Sequence, residues 1–87
     1  MPEASDHTLI RGIPAWLLQQ YLEQLGGQAA EDGWLHGPDW RARLTQVDDY
    51  VIGSLRVGQV RLELRGEPDA VERARQALAP RLLRAGG

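Results

Sequence analysis

Arginine side chains alternate with other residues along two stretches of the chain, and they carry its most obvious chemistry. Arg41 and Arg43 stand two residues apart, and Glu63 lies midway between Arg61 and Arg65. Successive side chains of a β-strand point to opposite faces, so neighbouring strands would direct these guanidinium groups to one face. Several guanidinium groups would then surround the single carboxylate of Glu63. Such a face could bind a phosphate, a pterin phosphate or a nucleic-acid backbone.

The same pattern is also typical of a solvated sheet face with ordinary cross-strand ion pairs. All ten basic residues are arginine, and lysine, asparagine, phenylalanine and cysteine are absent. This composition is typical of a GC-rich bacterial genome, so the number of arginines alone does not indicate selected guanidinium chemistry. The net charge of −2 at pH 7 argues against bulk electrostatic binding to nucleic acid or an anionic membrane. Both interpretations of the arginine pattern stay open.

The remaining ionisable and nucleophilic side chains form no recognisable catalytic or metal-binding set. His7 and His36 fall in separate predicted strands, with no third ligand at the spacing of a metal site. Ser5 and Ser54 lack the context of a nucleophile elbow, and no glycine-rich phosphate loop precedes a helix. The absence of cysteine excludes disulfides and a thiolate nucleophile. We therefore expect no enzymatic activity, no metal and no other cofactor.

The chain ends in Gly86-Gly87, which resembles the tails of ubiquitin-like and sulfur-carrier proteins. In those proteins an activating enzyme adenylates the terminal carboxylate, and glycine lets the tail thread a narrow channel because no Cβ obstructs it. Those carriers are β-grasp folds whose tail extends from a final strand, whereas these glycines follow a predicted helix. Glycine is also what a helix C-terminal cap requires, so the carrier tail is an alternative interpretation.

The N-terminal sequence indicates neither export nor membrane insertion. Residues 1–6 are polar, and we expect a flexible N-terminus ahead of a single domain over residues 7–87. The start of the chain lacks the regions of a signal peptide, and no stretch approaches the ~20 apolar residues that span a bilayer. We expect a cytoplasmic protein without a membrane partner.

Two amphipathic helices are predicted to support the arginine-bearing strands. The first covers residues 14–27, with Pro14 at its first position and Gly26-Gly27 at its end. The second opens at Pro68, and Pro80 predicts a kink or a restart within it. Both helices have an apolar stripe at helical spacing, which they must bury against another element.

Strands are predicted from alternating apolar residues and from the turn signals between them. They cover residues 7–11, 28–31, 34–36, 40–47 and 59–65, while residues 50–57 are either a bulged strand or an ordered loop. Because each strand has one apolar face, both helices should pack on one side of a curved antiparallel sheet. The expected fold is an α+β two-layer sandwich whose other sheet face is open.

Two of the three tryptophans, Trp34 and Trp40, flank the Gly37-Pro38 turn with the same parity. We therefore predict that they pair across a hairpin and cover one end of the core, with stacking on a ligand as the alternative. No aromatic residue is then expected among the arginines of the open face. Since aromatic stacking is the usual way to bind single-stranded nucleic acid, nucleic acid is not an expected partner.

Three segments together resemble a domain found at the C-terminus of bacterial MoaD-related proteins, which are relatives of the small subunit of molybdopterin synthase. The segments are residues 14–27, Val51-Ile-Gly-Ser-Leu55 and Val60-Arg-Leu-Glu-Leu64. The resemblance extends from about His7 to Gly87. It implies a β-α-β(4)-α arrangement like that of the TATA-binding protein, and a context of molybdenum-cofactor or sulfur-carrier metabolism. No segment of these 87 residues resembles the β-grasp carrier domain of those proteins, so the resemblance implies neither carrier activity nor catalytic residues.

These observations favour a non-enzymatic accessory or interaction domain. Its open sheet face, centred on Arg41, Arg43, Arg61 and Arg65, would bind a protein such as a sulfur carrier or a molybdopterin-synthase component, or another anionic partner. The alternatives are a protein carrier activated at Gly87 and a binder of anions or nucleic acid.

Overall fold

A computed structural model describes residues 2–86 of the chain, with side chains as far as Arg84. The elements follow in the order β1 (Ala4–Arg11), α1 (Ala15–Gln24), β2 (Gln28–Ala29), β3 (Leu35–Gly37), β4 (Trp40–Ile52), β5 (Leu55–Gly66) and α2 (Pro68–Gly86). The strands form a five-stranded antiparallel sheet in the order β1-β5-β4-β3-β2. The α+β class and the predicted order of elements are confirmed, and the likeness to the TATA-binding protein stays a prediction.

Both helices pack on the same face of the sheet. Val60 pairs with Ile10, and Leu64 pairs with Ala42, so their side chains share that face. These residues form one apolar core with the inner residues of the helices, which include Leu18, Leu22, Val71, Ala74 and Leu78. The predicted two-layer arrangement is therefore confirmed, and the other face of the sheet carries no helix within residues 2–86.

The ends of α1 follow the sequence signals closely, with one difference at its start. Pro14 has an extended ψ of 152° and is the N-cap, so the helix begins at Ala15 and not at Pro14 as predicted. At the other end, Gly26 has a φ of 103°, and the N–H groups of Gly26 and Gly27 donate to the carbonyls of Glu23 and Leu22. This bond pattern is a Schellman cap, which explains why two glycines follow the helix.

Strands β4 and β5 form a long hairpin, which includes residues 50–57. Residues 50–57 are neither one bulged strand nor a loop, because the chain reverses at Gly53-Ser54 and Ile52 pairs with Leu55. Gly53 has a φ of 58°, which the reversal requires. The bulge lies instead between Val47 and Tyr50, at the two aspartates. At the other edge of the sheet, β1 begins at Ala4, three residues before the predicted start at His7.

The second helix begins at Pro68, as predicted, and Glu67 caps it by accepting the backbone N–H of Ala70 at 3.0 Å. The predicted restart at Pro80 is wrong, because α2 continues through it. The guanidinium of Arg81 donates to the carbonyl of Ala77 at 2.8 Å, within the turn that Pro80 disturbs. Within residues 2–86, neither helix combines the length and the apolar composition needed to cross a bilayer.

Candidate functional site

The pairing of β4 with β5 brings the alternating arginines onto the open face of the sheet. Arg41 lies opposite Arg65, and Arg43 lies opposite Glu63. Residues opposite each other in an antiparallel pair point to the same side, so these side chains share one face. Arg61 follows on that face, opposite Thr45 on β4 and Leu9 on β1, and stands apart from the others. The predicted convergence around Glu63 therefore involves Arg43 and Arg65 directly.

Glu63 lies at the centre of the group and is covered by its neighbours. Its carboxylate accepts hydrogen bonds from Nε and Nη2 of Arg43 at 3.0 and 2.7 Å. Nη2 of Arg65 lies 3.6 Å from the other oxygen, and Nδ1 of His7 lies 4.0 Å from it. The Glu63 side chain is only 6% exposed, whereas that of Arg43 is 43% exposed. Glu63 is therefore a buried anion beneath a partly exposed layer of cations.

The electrostatics of this group favour the ionised carboxylate. Hydrogen bonding from Arg43 lowers the pKa of Glu63 below its ordinary value of 4.5, with help from the charges of Arg43, His7 and Arg65. Burial acts in the opposite direction, because it disfavours charge, but it does not prevail. Glu63 is therefore ionised at neutral pH and unsuited to donate a proton.

Trp34 lies among the arginines, contrary to the prediction that it pairs with Trp40. Its ring centroid lies 4.7, 5.2 and 5.7 Å from the guanidinium carbons of Arg43, Arg41 and Arg65. Trp40 lies in the core on the other face and is 7% exposed. We call this surface the arginine face; its residues are Trp34, Arg41, Arg43, Arg61, Glu63 and Arg65.

The register of the β3–β4 hairpin explains the wrong prediction. Only Pro38 and Asp39 separate the strands, so Gly37 pairs with Trp40 and Leu35 with Ala42. Partners across this turn have numbers of opposite parity. An even-numbered residue of β3 therefore shares a face with the odd-numbered arginines of β4 and not with Trp40. Counting across the two-residue turn would have placed Trp34 on the arginine face from sequence alone.

The loop between β2 and β3 holds Trp34 in place. Asp32 accepts the backbone N–H of Trp34 and a bond from Nε2 of His36, both at 2.9 Å. The Trp34 N–H, and then the His36 imidazole, lower the pKa of Asp32 below its ordinary 3.8. Gly33, with a φ of 86°, completes the predicted hairpin, whose loop is longer than the two residues expected. Asp32 is thus a positioning residue for Trp34.

Positive charge exceeds negative charge on the arginine face. Arg41 pairs with Glu3, while Arg43 and Arg65 share Glu63. Nε of Arg65 is buried without a hydrogen-bond partner among residues 2–86. Over the same range, no carboxylate lies within ion-pair distance of Arg61. Four guanidinium groups thus meet two carboxylates, although the whole chain is acidic.

The two histidines border the arginine face, since His7 lies opposite Glu63 and His36 opposite Arg41, whereas the glycine tail lies at or beyond the end of the described residues. His7 and His36 are on β1 and β3, and residues 2–86 hold no cluster of three potential metal-binding side chains. Gly86 is the last residue of α2, and Gly87 lies outside the described residues. The structure therefore does not describe the proposed carrier tail.

The strands of the arginine face all fall within a segment recognised by a protein-family model. That model, described as "Archaeal MoaD-like protein", matches residues 7–87. The chain belongs to this family. Membership confirms the MoaD-related part of the resemblance, whereas placement among bacterial C-terminal domains stays a prediction. No curated protein matches this MoaD-like chain.

Proposed function

We propose that this MoaD-like protein is a non-enzymatic accessory domain of molybdopterin or sulfur-carrier metabolism, which binds an acidic partner protein on its arginine face. The observation that carries the proposal is the gathering of Arg41, Arg43 and Arg65 around Trp34 on a sheet face that bears no helix. Family membership supports the metabolic context.

The chemistry of the arginine face suits carboxylates presented by another protein. A guanidinium group offers several N–H donors in a planar fork, which matches the two oxygens of a carboxylate. The contact between Arg41 and Glu3 shows that one such carboxylate fits this edge of the face. Arginine and tryptophan are also the residues that most often dominate binding at protein interfaces. A partner would bring the missing negative charge.

A pull-down with purified MoaD-family carrier and molybdopterin-synthase components of the same organism tests this proposal. We expect the double variant R41E/R61E to capture less partner than the unchanged protein. The control is R73E, which reverses an exposed arginine on α2, on the helix side of the sheet. If R41E/R61E captures as much partner as R73E does, the arginine face is not the binding surface.

A carrier function at the C-terminus is a second candidate, which family membership and the Gly86-Gly87 end both favour. The protein would be incubated with an activating enzyme, ATP and a sulfur donor, then examined by mass spectrometry. A carrier would form an adenylate or a thiocarboxylate at Gly87. If the enzyme acts on its own carrier and leaves Gly87 unmodified, this candidate is rejected.

The position of Trp34 also favours the third candidate, a binder of nucleic acid or another anion, more than the sequence did. An indole among guanidinium groups is a suitable stacking surface for a base or a pterin. Titration with RNA, DNA and pterin phosphates, followed by tryptophan fluorescence, distinguishes these ligands. A response to one of them, and none to an acidic protein, would replace the leading proposal.

A further inference from the structure

The far ends of β4 and β5 form a two-stranded arm that extends beyond the rest of the sheet. The pairing of β1 with β5 ends at Arg11 and Gln59, and β3 pairs only with the first residues of β4. Residues 48–58, the hairpin arm, therefore have no further strand beside them within residues 2–86. The molecule is accordingly elongated, with dimensions of 46 × 25 × 22 Å.

The strand register divides the side chains of the hairpin arm between the two faces of the sheet. Val57 lies four residues before Arg61 along β5, so these two side chains point to the same side. Val57 pairs with Tyr50, and Ile52 pairs with Leu55 at the turn. Because residues opposite each other share a face, all four lie on the open face with the arginines.

A contact between side chains agrees with this register. The guanidinium carbon of Arg11 lies 3.8 Å from the ring centroid of Tyr50, and Nε of Arg11 donates to Oε1 of Gln59 at 2.9 Å. Arg11 is on the open face, because it pairs with Gln59, two residues before Arg61. Tyr50 therefore lies on the open face as well, beyond the bulge that separates it from Val47.

Apolar side chains form one continuous strip on the open face at this end of the sheet. Its members are neighbours along or across the two strands, and we call them the apolar strip: Val47, Tyr50, Ile52, Leu55 and Val57. Ile52 and Leu55 are 57% and 66% exposed, and the other three are half-buried. An exposed apolar patch of this kind marks a contact with another molecule.

The apolar strip borders directly on the arginine face. Arg61 lies two residues beyond Gln59 on β5, and Leu9 of β1, which is 51% exposed, lies opposite Arg61. Within residues 2–86, neither Arg11 nor Arg61 has a carboxylate at ion-pair distance. The open face is therefore one surface with an excess of cations at one end and apolar side chains at the other.

The distribution of charge shows what kind of molecule this surface fits. If the strands of two copies crossed it antiparallel, each arginine face would oppose the apolar strip of the other copy, and its guanidinium groups would lose water without gaining an anion. If they ran parallel, the two arginine faces would repel each other. A partner that carries carboxylates beside apolar side chains complements both ends.

We propose that the acidic partner of the arginine face also covers the apolar strip, and that it presents exposed apolar side chains next to its carboxylates. The two ends then contribute differently. The guanidinium groups orient the partner and speed its approach, whereas the apolar strip supplies the apolar area typical of the centre of an interface. This inference rests on the proposed function of the arginine face.

A pull-down with purified MoaD-family carrier and molybdopterin-synthase components of the same organism tests the apolar strip. We expect I52S/L55S to bind its partner about tenfold more weakly, because it removes the most exposed apolar groups of the strip. The matched control is V51S. Val51 is 53% exposed beside the same turn, but it pairs with Arg56 and points to the helix side, so V51S should bind as the unchanged protein does.

Circular dichroism checks that these variants keep the fold, as expected from the exposure of all three positions. Should the double variant unfold, L55S alone, at the more exposed position, takes its place.

The salt dependence of binding separates the two ends of the surface. Isothermal titration calorimetry with a captured component, at several salt concentrations, measures it. R41E/R61E should weaken binding and flatten its salt dependence, because it removes screened charge interactions. I52S/L55S should weaken binding and leave the salt dependence unchanged.

The outcomes distinguish this inference from the proposed function. If R41E/R61E weakens binding and I52S/L55S binds as tightly as V51S, the inference is overturned and the arginine face remains the binding surface. If the unchanged protein captures no component, or R41E/R61E captures as much as R73E, the proposed function fails and the inference with it. Dimerisation in sedimentation velocity, or binding to neutral lipid vesicles, that I52S/L55S abolishes would assign the strip to a second copy or to a membrane and also overturn the inference.

Discussion

Glu63 is an unusual residue, because it is buried on a sheet face that no helix covers. Its cover consists of the arginines that it attracts, chiefly Arg43 at 2.7 Å. A buried anion is tolerated only when it is paired and hydrogen-bonded, and Arg43 supplies both. In return, the carboxylate lets Arg43 and Arg65 stay close to each other and to Trp34. Glu63 therefore organises the arginine face and does not face a partner itself.

The pKa of Glu63 predicts a loss of stability in acid. The pKa of Glu63 is below its ordinary value of 4.5 in the folded protein. The ionised carboxylate therefore stabilises the protein fully at pH values well above 4.5. This stabilisation is lost as the pH falls through the lowered folded value. We expect E63Q to be less stable at pH 7 and to show a shallower loss of stability below pH 4.5. Urea denaturation at several pH values measures both.

The control for this titration is E31Q, which changes an exposed carboxyl group in the β2–β3 loop. Its stability should fall in acid as steeply as that of the unchanged protein. An equally steep fall in E63Q would show that Glu63 is not the group responsible.

Gly37 is required by the packing of the β3–β4 hairpin. A Cβ at this position would lie 2.2 Å from the Trp40 ring, which fills the end of the core. We expect G37A to destabilise the protein by ~1–3 kcal/mol, as overpacking of a core does. Thermal denaturation measures the change. G58A is the matched control, because a Cβ there meets no atom within 4 Å; equal stability of the two variants would contradict this role.

At the scale of elements, local signals predicted what local interactions determine. The glycines after α1 form its cap, and Pro68 begins α2, because helix ends depend on backbone bonds within one turn. The β4–β5 hairpin was missed because apolar residues continue on both sides of Gly53-Ser54, so alternation alone does not show where the chain reverses. The position of the reversal depends on how β4 and β5 pair along their whole length, from Ile52 with Leu55 to Trp40 with Gly66.

Among the helices and strands, Pro80 within α2 is the residue that most clearly lowers the stability of its own element. It lies on the exposed side of α2, where it removes a backbone hydrogen bond and crowds the preceding turn. The packing of Ala74 and Leu78 against the sheet keeps the helix continuous despite this. We expect P80A to raise stability by ~1–3 kcal/mol, measured by thermal denaturation. A lower melting temperature would show that the proline ring contributes packing instead. As a control, A79G, also exposed on α2, should lower stability by ~1 kcal/mol.

At the scale of the whole molecule, the two faces of the sheet have different roles. The helices cover one face with the core, and the arginines gather on the other, although the chain carries a net charge of −2. Alternation in sequence predicted that Arg41, Arg43, Arg61 and Arg65 share the open face. It could not predict that Glu3 reaches Arg41, because that contact joins distant parts of the chain. The position of Trp34 was predicted wrongly because the two-residue turn between β3 and β4 puts Trp34 and Trp40 on opposite faces of the sheet.

The most direct test of the arginine face is a titration with a glutamate-rich peptide in a W16F background, followed by tryptophan fluorescence. Trp34 and the buried Trp40 are then the remaining indoles. We expect a saturable change in fluorescence that weakens as salt is added, because exposed charges are screened. R41E/R61E, which leaves the Arg43–Glu63 pair intact, should weaken this change, and R73E should keep it. An undiminished change in R41E/R61E, or no change in the W16F protein, would contradict the binding of acidic partners on this face.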